Sequence, residues 1–206
     1  MAEQKVQLVR NGVSVAFSEN GSRKLFSFKY VFYPGNHRAY KNTNRLVRAY
    51  GVSALPSNEI HLVFTGQADA KFSAEVSKLG LQGMVHFVGD LSDQEMVMAY
   101  KGALVVAFVS LYEGFGLPIL EAMAAGVPVL TSSRAAMPEV AGNAAIIVDP
   151  YAIEEIAHWL EVLSFDLNVR SAQIRLGKQR AELFDWDGSA AKLWALLESL
   201  AESSGG

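Results

Sequence analysis

The sequence has no cysteine, and 206 residues without a thiol exclude a disulfide framework and thiolate metal sites. Histidine is scarce. His37, His61, His86 and His158 are scattered without metal-ligand spacing, so metal chemistry built on them is not expected. Charge is sparse too: 19% of residues are charged and the net charge is only −3, which argues against a nucleic-acid or other polyanion partner. Long apolar runs are missing. The longest, such as Ala103 to Val109, are the length of a strand rather than a transmembrane segment, and no basic segment followed by an apolar one opens the chain. The expectation is one soluble, cytoplasmic unit large enough to bury a substantial core.

No repeat or low-complexity tract is present apart from the closing "ESSGG", which reads as a frayed tail. From Lys29 onward the pattern is alternation. Strands are predicted at Tyr30–Tyr33, His61–Thr65, Val85–Val88, Leu104–Val109, Val127–Thr131 and Ala145–Val148, several of them continuous apolar runs, as strands buried on both faces require. Helices are predicted at Lys41–Val52, Ala68–Leu79, Asp93–Lys101, Pro118–Ala125, Ala152–Leu163, Leu167–Phe184 and Gly188–Glu202. Such alternation marks an α/β fold, an open parallel sheet of about six strands covered by helices. Ser92 with Glu95 forms a capping box for the third helix. The front end, "KVQLVRNGVSVAF", carries one strand-like run and an Asn-Gly turn with no crossover helix after it, and reads as a lead-in.

The stretch "SLYEGFGLPILEAMAAGVPVL", Ser110 to Leu130, places two glutamates eight positions apart in apolar surroundings. An interior strand precedes it, and Pro118 suits the first position of a helix because its missing N–H costs nothing there. Between them lies a strand-to-helix loop in which Gly114 and Gly116 allow unusual backbone angles and close approach of a ligand. In an open α/β sheet that loop lies at the carboxyl edge, where ligands bind. The N–H groups and dipole of the following helix favour an anion such as a diphosphate. The two familiar phosphate motifs are absent: there is no G-x-x-x-x-G-K-[ST], and Ile119 stands where a dinucleotide fingerprint wants its third glycine. A glycine-rich turn also serves packing alone, and a glutamate in a first helical turn is favoured by the dipole alone; the residues leave both readings standing. Glu113 in the loop and Glu121 on the helix, one on either side of a phosphate-binding turn, suit a polyhydroxylated ligand, as in a nucleotide sugar.

Glu113-Gly-Phe-Gly-Leu-Pro-Ile-Leu-Glu121 resembles the E-x7-E motif of retaining glycosyltransferases of the group 1 (family 4) type. The likeness extends through "NGV" at Asn11, "YPGNHRAYKN", "HFVGDLSDQEM", "MPEVAGNAAIIVDP" and "FDWDGSAAKLW". It implies the C-terminal, Rossmann-like half of a two-domain GT-B fold, helices on both faces of the sheet, with residues 1–28 as interdomain linker and lead-in strand, 29–203 as nucleotide-sugar-binding domain and 204–206 as a disordered tail. By the same resemblance Glu113 lies against the donor sugar, Glu121 bonds the ribose hydroxyls, and Gly114, Phe115, Gly116 and Leu117 face sugar and diphosphate. Arg38 and Lys41 of "GNHRAYKN" are the matching cations for the leaving diphosphate; family members often place the arginine directly after the glycine, where this chain has Asn36. Phe87, Val88 and Gly89 match the loop that cradles the nucleobase through main-chain groups.

The implied reaction is transfer of a hexose, mannose from GDP-mannose first and a UDP-sugar second, to a glycan or lipid-linked acceptor, with retention, no cofactor and no metal. The implied partner is an N-terminal acceptor-binding domain, without which the chain is expected to be inactive, and the full enzyme is expected to associate peripherally with a membrane. A non-catalytic nucleotide-sugar-binding module is the alternative. His86, Glu139 and Asp149-Pro150 are read as scaffold, and Phe184, Trp186 and Trp194 as packing for the last helices.

Overall fold

A computed structural model describes residues 6–19 and 25–204. Six parallel strands form one open sheet: β1 (Lys29–Tyr33), β2 (Ile60–Phe64), β3 (Val85–Phe87), β4 (Val105–Phe108), β5 (Val129–Ser132) and β6 (Ile146–Val148), in the order β3-β2-β1-β4-β5-β6. The fold is the expected α/β architecture. All four residues of β4 and β5 are buried, as are the last four of β1, because helices cover both faces of a parallel sheet. The helices are α1 (Thr43–Val52), α2 (Ala70–Lys78), α3 (Asp93–Gly102), α4 (Leu117–Ala124), α5 (Met137–Ala141), α6 (Ile153–Phe165), α7 (Leu167–Ala181) and α8 (Trp186–Ser204). Helix α1 packs on α2 and α6, while α4 packs on α3, α5 and α7.

Strand order reverses between β1 and β4. Chain connections leave those two neighbours in opposite directions and open a crevice at the carboxyl edge, the place where open α/β sheets bind ligands. The sheet is held in register by a core that includes four fully buried tyrosines, Tyr30, Tyr33, Tyr50 and Tyr100. Buried phenols need partners: Tyr30 donates to the carbonyl of Ala99 at 2.7 Å and Tyr50 to that of Ile60 at 2.9 Å.

Several details depart from the sequence reading. The helix expected from Lys41 begins at Thr43, because Ala39–Lys41 forms a 3-10 turn and Asn42 takes a left-handed conformation (φ 60°) before it. The helix expected to reach Phe184 stops at Ala181, and the five-residue α5 is too short to leave a periodic signal. In the lead-in, residues 6–19 form no strand; Val15–Phe17 is a 3-10 turn capped by Ser14. This segment packs instead on the C-terminal region, Val13 N–H donating to Phe184 O and Ser189 Oγ to Arg10 O. Of the three C-terminal aromatics only Phe184 is buried; Trp186 and Trp194 are more than half exposed, and Trp194 donates to Glu198 on its own helix. The tail reading fails at Ser204, the last residue of α8, while Gly205 and Gly206 lie outside the described residues. The Ser92–Glu95 capping box forms as expected.

Candidate functional site

Loops from the carboxyl ends of β1, β4 and β6 converge beside the β1–β4 crevice, and Asn42 joins them. Its side-chain amide donates to Val109 O at 2.9 Å and to Pro150 O at 2.8 Å, while its oxygen accepts from Arg45 Nη1 at 3.0 Å. Leu111 N–H adds a bond to Tyr40 O at 2.7 Å. Thus the turn holding Lys41 and the loop holding Glu113 are fixed against one another by backbone and amide bonds. The two side chains meet: Lys41 Nζ lies 2.7 Å from Glu113 Oε1, both nearly buried. Lys41 Nζ also lies over the rings of Phe108 and Tyr40, at 5.2 and 5.4 Å from their centroids, an arrangement that partly compensates a desolvated cation. Residues 72 positions apart, singled out separately in the sequence, form one ion pair.

Beyond Glu113 the chain turns at Gly116, whose φ of 109° is open to glycine and strained for other residues. Helix α4 starts at Leu117. Among the described residues, the N–H groups of Phe115, Gly116 and Leu117 donate to no protein acceptor, so three donors and the positive end of the α4 dipole are available to an anion at this loop. Glu121 lies beyond the first turn of α4, where the dipole's effect has faded; its position is therefore not explained by helix electrostatics. Instead Tyr100 donates to its Oε2 at 2.5 Å. Burial raises the Glu121 carboxyl above the usual carboxylate range, with the Tyr100 bond acting in the opposite direction, and Tyr100 itself is held well above the usual phenol value by burial and by Glu121.

Arg38 stands apart. Its side chain is exposed and, among the described residues, has no hydrogen-bond or ion-pair partner; Lys41 is the cation that the fold brings to Glu113. The Phe87–Gly89 loop is built through Gly66: Val88 N–H donates to Phe64 O, and Gly66 and Gly89 exchange both backbone bonds at 2.8 and 3.1 Å. The Val88 and Gly89 N–H groups and the Gly89 carbonyl are thus committed to the protein. Phe87 is packed among His37, Phe64 and Phe72. Gly114 and Phe115 line a pocket of about 170 Å³ with Arg10, Glu139 and Phe184.

His86 Nε2 lies 2.9 Å from His61 Nδ1, both rings against Phe28, and burial lowers the pKa of His86. Glu139 enters the structure through its carbonyl, which accepts from Arg180 at 2.6 Å, and Asp149 accepts from Tyr151 N–H ahead of α6. Among the described residues no cluster of three or more His, Cys, Asp or Glu is placed to hold a metal, and no helix is long and apolar enough to cross a membrane. The sequence reading passed over Asn42 and Tyr100. Asn42 stood inside a quoted stretch, and an asparagine before a helix is a recognisable capping signal; Tyr100 gave no signal, since its partner is 21 residues away on another helix.

Residues 19–180 match the family described as glycosyl transferases group 1. The chain is 32% identical over 163 residues to the O-antigen chain mannosyltransferase B of Escherichia coli, covering 77% of this chain and 42% of that protein. It is 34% identical over 147 residues to the MMP alpha-(1->4)-mannosyltransferase of Mycolicibacterium hassiacum, covering 68% and 35% respectively. This chain thus spans less than half the length of these curated relatives. Among solved structures, a sucrose-phosphate synthase from Thermosynechococcus elongatus superposes with a TM-score of 0.75 at 25% identity, over 86% of this chain and 46% of that one. The C-terminal domain of a glycosyl transferase group 1 family protein from Francisella tularensis superposes with a TM-score of 0.68 at 25% identity, over 75% of this chain and 85% of that domain.

Proposed function

The chain belongs to the group 1 glycosyl transferases, and from that premise we propose that it is the donor-binding half of a retaining hexosyltransferase whose crevice between β1 and β4 holds a nucleoside diphosphate sugar. The observation that carries this reading is the joining of the Lys41–Glu113 ion pair to three free N–H groups at Phe115, Gly116 and Leu117. A diphosphate needs cations and aligned donors as its leaving charge develops. Lys41 and the α4 N-terminus supply both. An arriving diphosphate competes with Glu113 for Lys41 and releases a carboxylate toward the sugar hydroxyls. Glu121, one turn further along α4, has its Oε1 for the ribose.

In the transfer itself the bond from the anomeric carbon to the diphosphate oxygen breaks. An acceptor oxygen bonds to that carbon on the same face, and the acceptor's proton passes to the departing phosphate. Lys41 and the loop N–H groups stabilise the charge that builds on the leaving group, and Glu113 orients the sugar. Arg38, exposed and without a partner among the described residues, is assigned as a second cation for the diphosphate. Mannose from GDP-mannose is the favoured donor, on the strength of the two mannosyltransferase relatives; a UDP-sugar is the second choice. The acceptor would be a glycan or a lipid-linked sugar, held by a further domain, with no metal required. On this reading the chain alone binds nucleotide and transfers nothing.

Calorimetric titration of the chain with GDP, UDP and their sugars tests the assignment. Glu121→Ala should weaken binding of the bare nucleotide about 10- to 100-fold, the range for a hydrogen bond to a charged group. Glu113→Ala should leave the bare nucleotide within about threefold and reduce discrimination among sugars. Unchanged nucleotide affinity in Glu121→Ala, or sugar transfer by the unaccompanied chain, would refute the corresponding part.

A further inference from the structure

Tyr100 is wholly buried on α3, and its ring is enclosed edge-on by Phe17 and Phe32, with centroids 5.2 Å away in both cases. The other buried tyrosines Tyr30 and Tyr50 satisfy their hydroxyls on main-chain carbonyls. Tyr100 donates instead to the carboxylate of Glu121, the group on which the proposed site depends. A carboxylate offers about four lone-pair positions on two oxygens, so one bond fixes its rotation and leaves Oε1 free to accept. Among the described residues no lysine or arginine pairs with Glu121. The neutral phenol therefore orients the carboxylate without cancelling its charge, and no cation next to Glu121 competes with Lys41 for the diphosphate.

The wall behind the ring is the lead-in. Phe17 is buried, and Lys101, the residue after Tyr100, clasps the segment by donating to Glu19 O at 2.6 Å and Ala16 O at 3.4 Å. A ring held on two edges keeps its hydroxyl aimed at one point.

We propose that Tyr100 is the positioning residue for Glu121, aiming one carboxylate oxygen at the nucleoside's ribose while Phe17 of the lead-in seats the ring. This rests on the reading of Glu121 as the ribose acceptor. It also goes further, because it makes a residue with no ligand contact govern nucleotide affinity and its pH dependence.

The test is a double-mutant cycle on the full chain, with UDP and GDP as probes, titrated from about pH 8 down to about pH 5. Tyr100→Phe removes one oxygen and keeps both ring contacts, and a thermal melt verifies that it folds. It should weaken nucleotide binding about tenfold near neutrality. The acid-side loss of binding should also move to higher pH, because the bond that favours the ionised Glu121 is gone. In the Glu121→Gln background the same change should cost nothing further. Two results would overturn the proposal. One is a Tyr100→Phe chain that matches the parent in affinity and pH profile while Glu121→Gln binds weakly; the other is an equal loss in both backgrounds, which marks a purely structural role. If Glu121→Gln itself binds as the parent does, the ribose reading falls first and takes this inference with it.

Discussion

Asn42 shows how much of the site depends on a single side chain that touches no ligand in the proposed account. It sits at φ 60°, and its amide satisfies two carbonyls from the ends of β4 and β6. Replacing it with alanine leaves Val109 O and Pro150 O without these donors and puts a residue that tolerates left-handed backbone less well than asparagine at φ 60°. Each unsatisfied group costs about 1–3 kcal/mol, and the left-handed conformation adds a fraction of about 1–2 kcal/mol, since asparagine already bears part of that strain. Asn42→Ala is therefore expected to lower unfolding stability by roughly 3 kcal/mol or more, read from urea denaturation; a loss below about 1 kcal/mol would mean that the loops hold each other by other means. Asn42→Gly should recover the backbone part alone. Lys41, Glu113 and Glu121 were each singled out in the sequence, the glutamates by their spacing about a glycine-rich turn and Lys41 by the resemblance of its loop. The bonds that organise them were not, since the Asn42–Pro150 contact spans 108 residues and leaves no periodicity.

Among the elements, β4, its loop and α4 form the unit on which the proposed function turns. Its two glycines do different jobs, a difference invisible in the string "EGFG". A Cβ on Gly116 would meet Ile119 Cδ1 at 3.2 Å and would sit at a φ of 109°, so Gly116→Ala should destabilise the fold by about 1–3 kcal/mol. A Cβ on Gly114 meets nothing within 4 Å. Gly114→Ala should leave the melting temperature nearly unchanged and still weaken nucleotide binding, because the methyl occupies ligand space. Equal melting losses in the two variants, or full nucleotide affinity in Gly114→Ala, would contradict this division. All six strands were legible to within a residue or two; for β1, β4 and β5 burial on both faces writes a continuous apolar run, while the edge strands β3 and β6 are only partly buried. The front segment misled, because "VSVAF" has strand composition but lies outside the sheet, with Val15 exposed, Phe17 turned against Tyr100, and a 3-10 turn between them.

At the scale of the whole molecule, the chain spans less than half the length of the two mannosyltransferase relatives, and the groups that converge at the carboxyl edge are those the proposal assigns to a donor. In the proposed account a lysine, a run of main-chain donors and two carboxylates address a diphosphate, a sugar and a ribose. The GT-B type of fold was legible from the breadth of resemblance, whereas the surface was not: Trp186 and Trp194 have helical spacing but are exposed, because periodicity marks an apolar face without saying what lies against it. The account's central claim is where the nucleotide lies, and a crystal structure of the chain with GDP or UDP tests it most directly. It should show the diphosphate within hydrogen-bond distance of the N–H groups of Phe115, Gly116 and Leu117, Lys41 turned from Glu113 onto a phosphate oxygen, and the ribose on Glu121 Oε1. A nucleotide bound elsewhere, such as the pocket beside Arg10 and Phe184, with the Lys41–Glu113 pair undisturbed, would contradict the account.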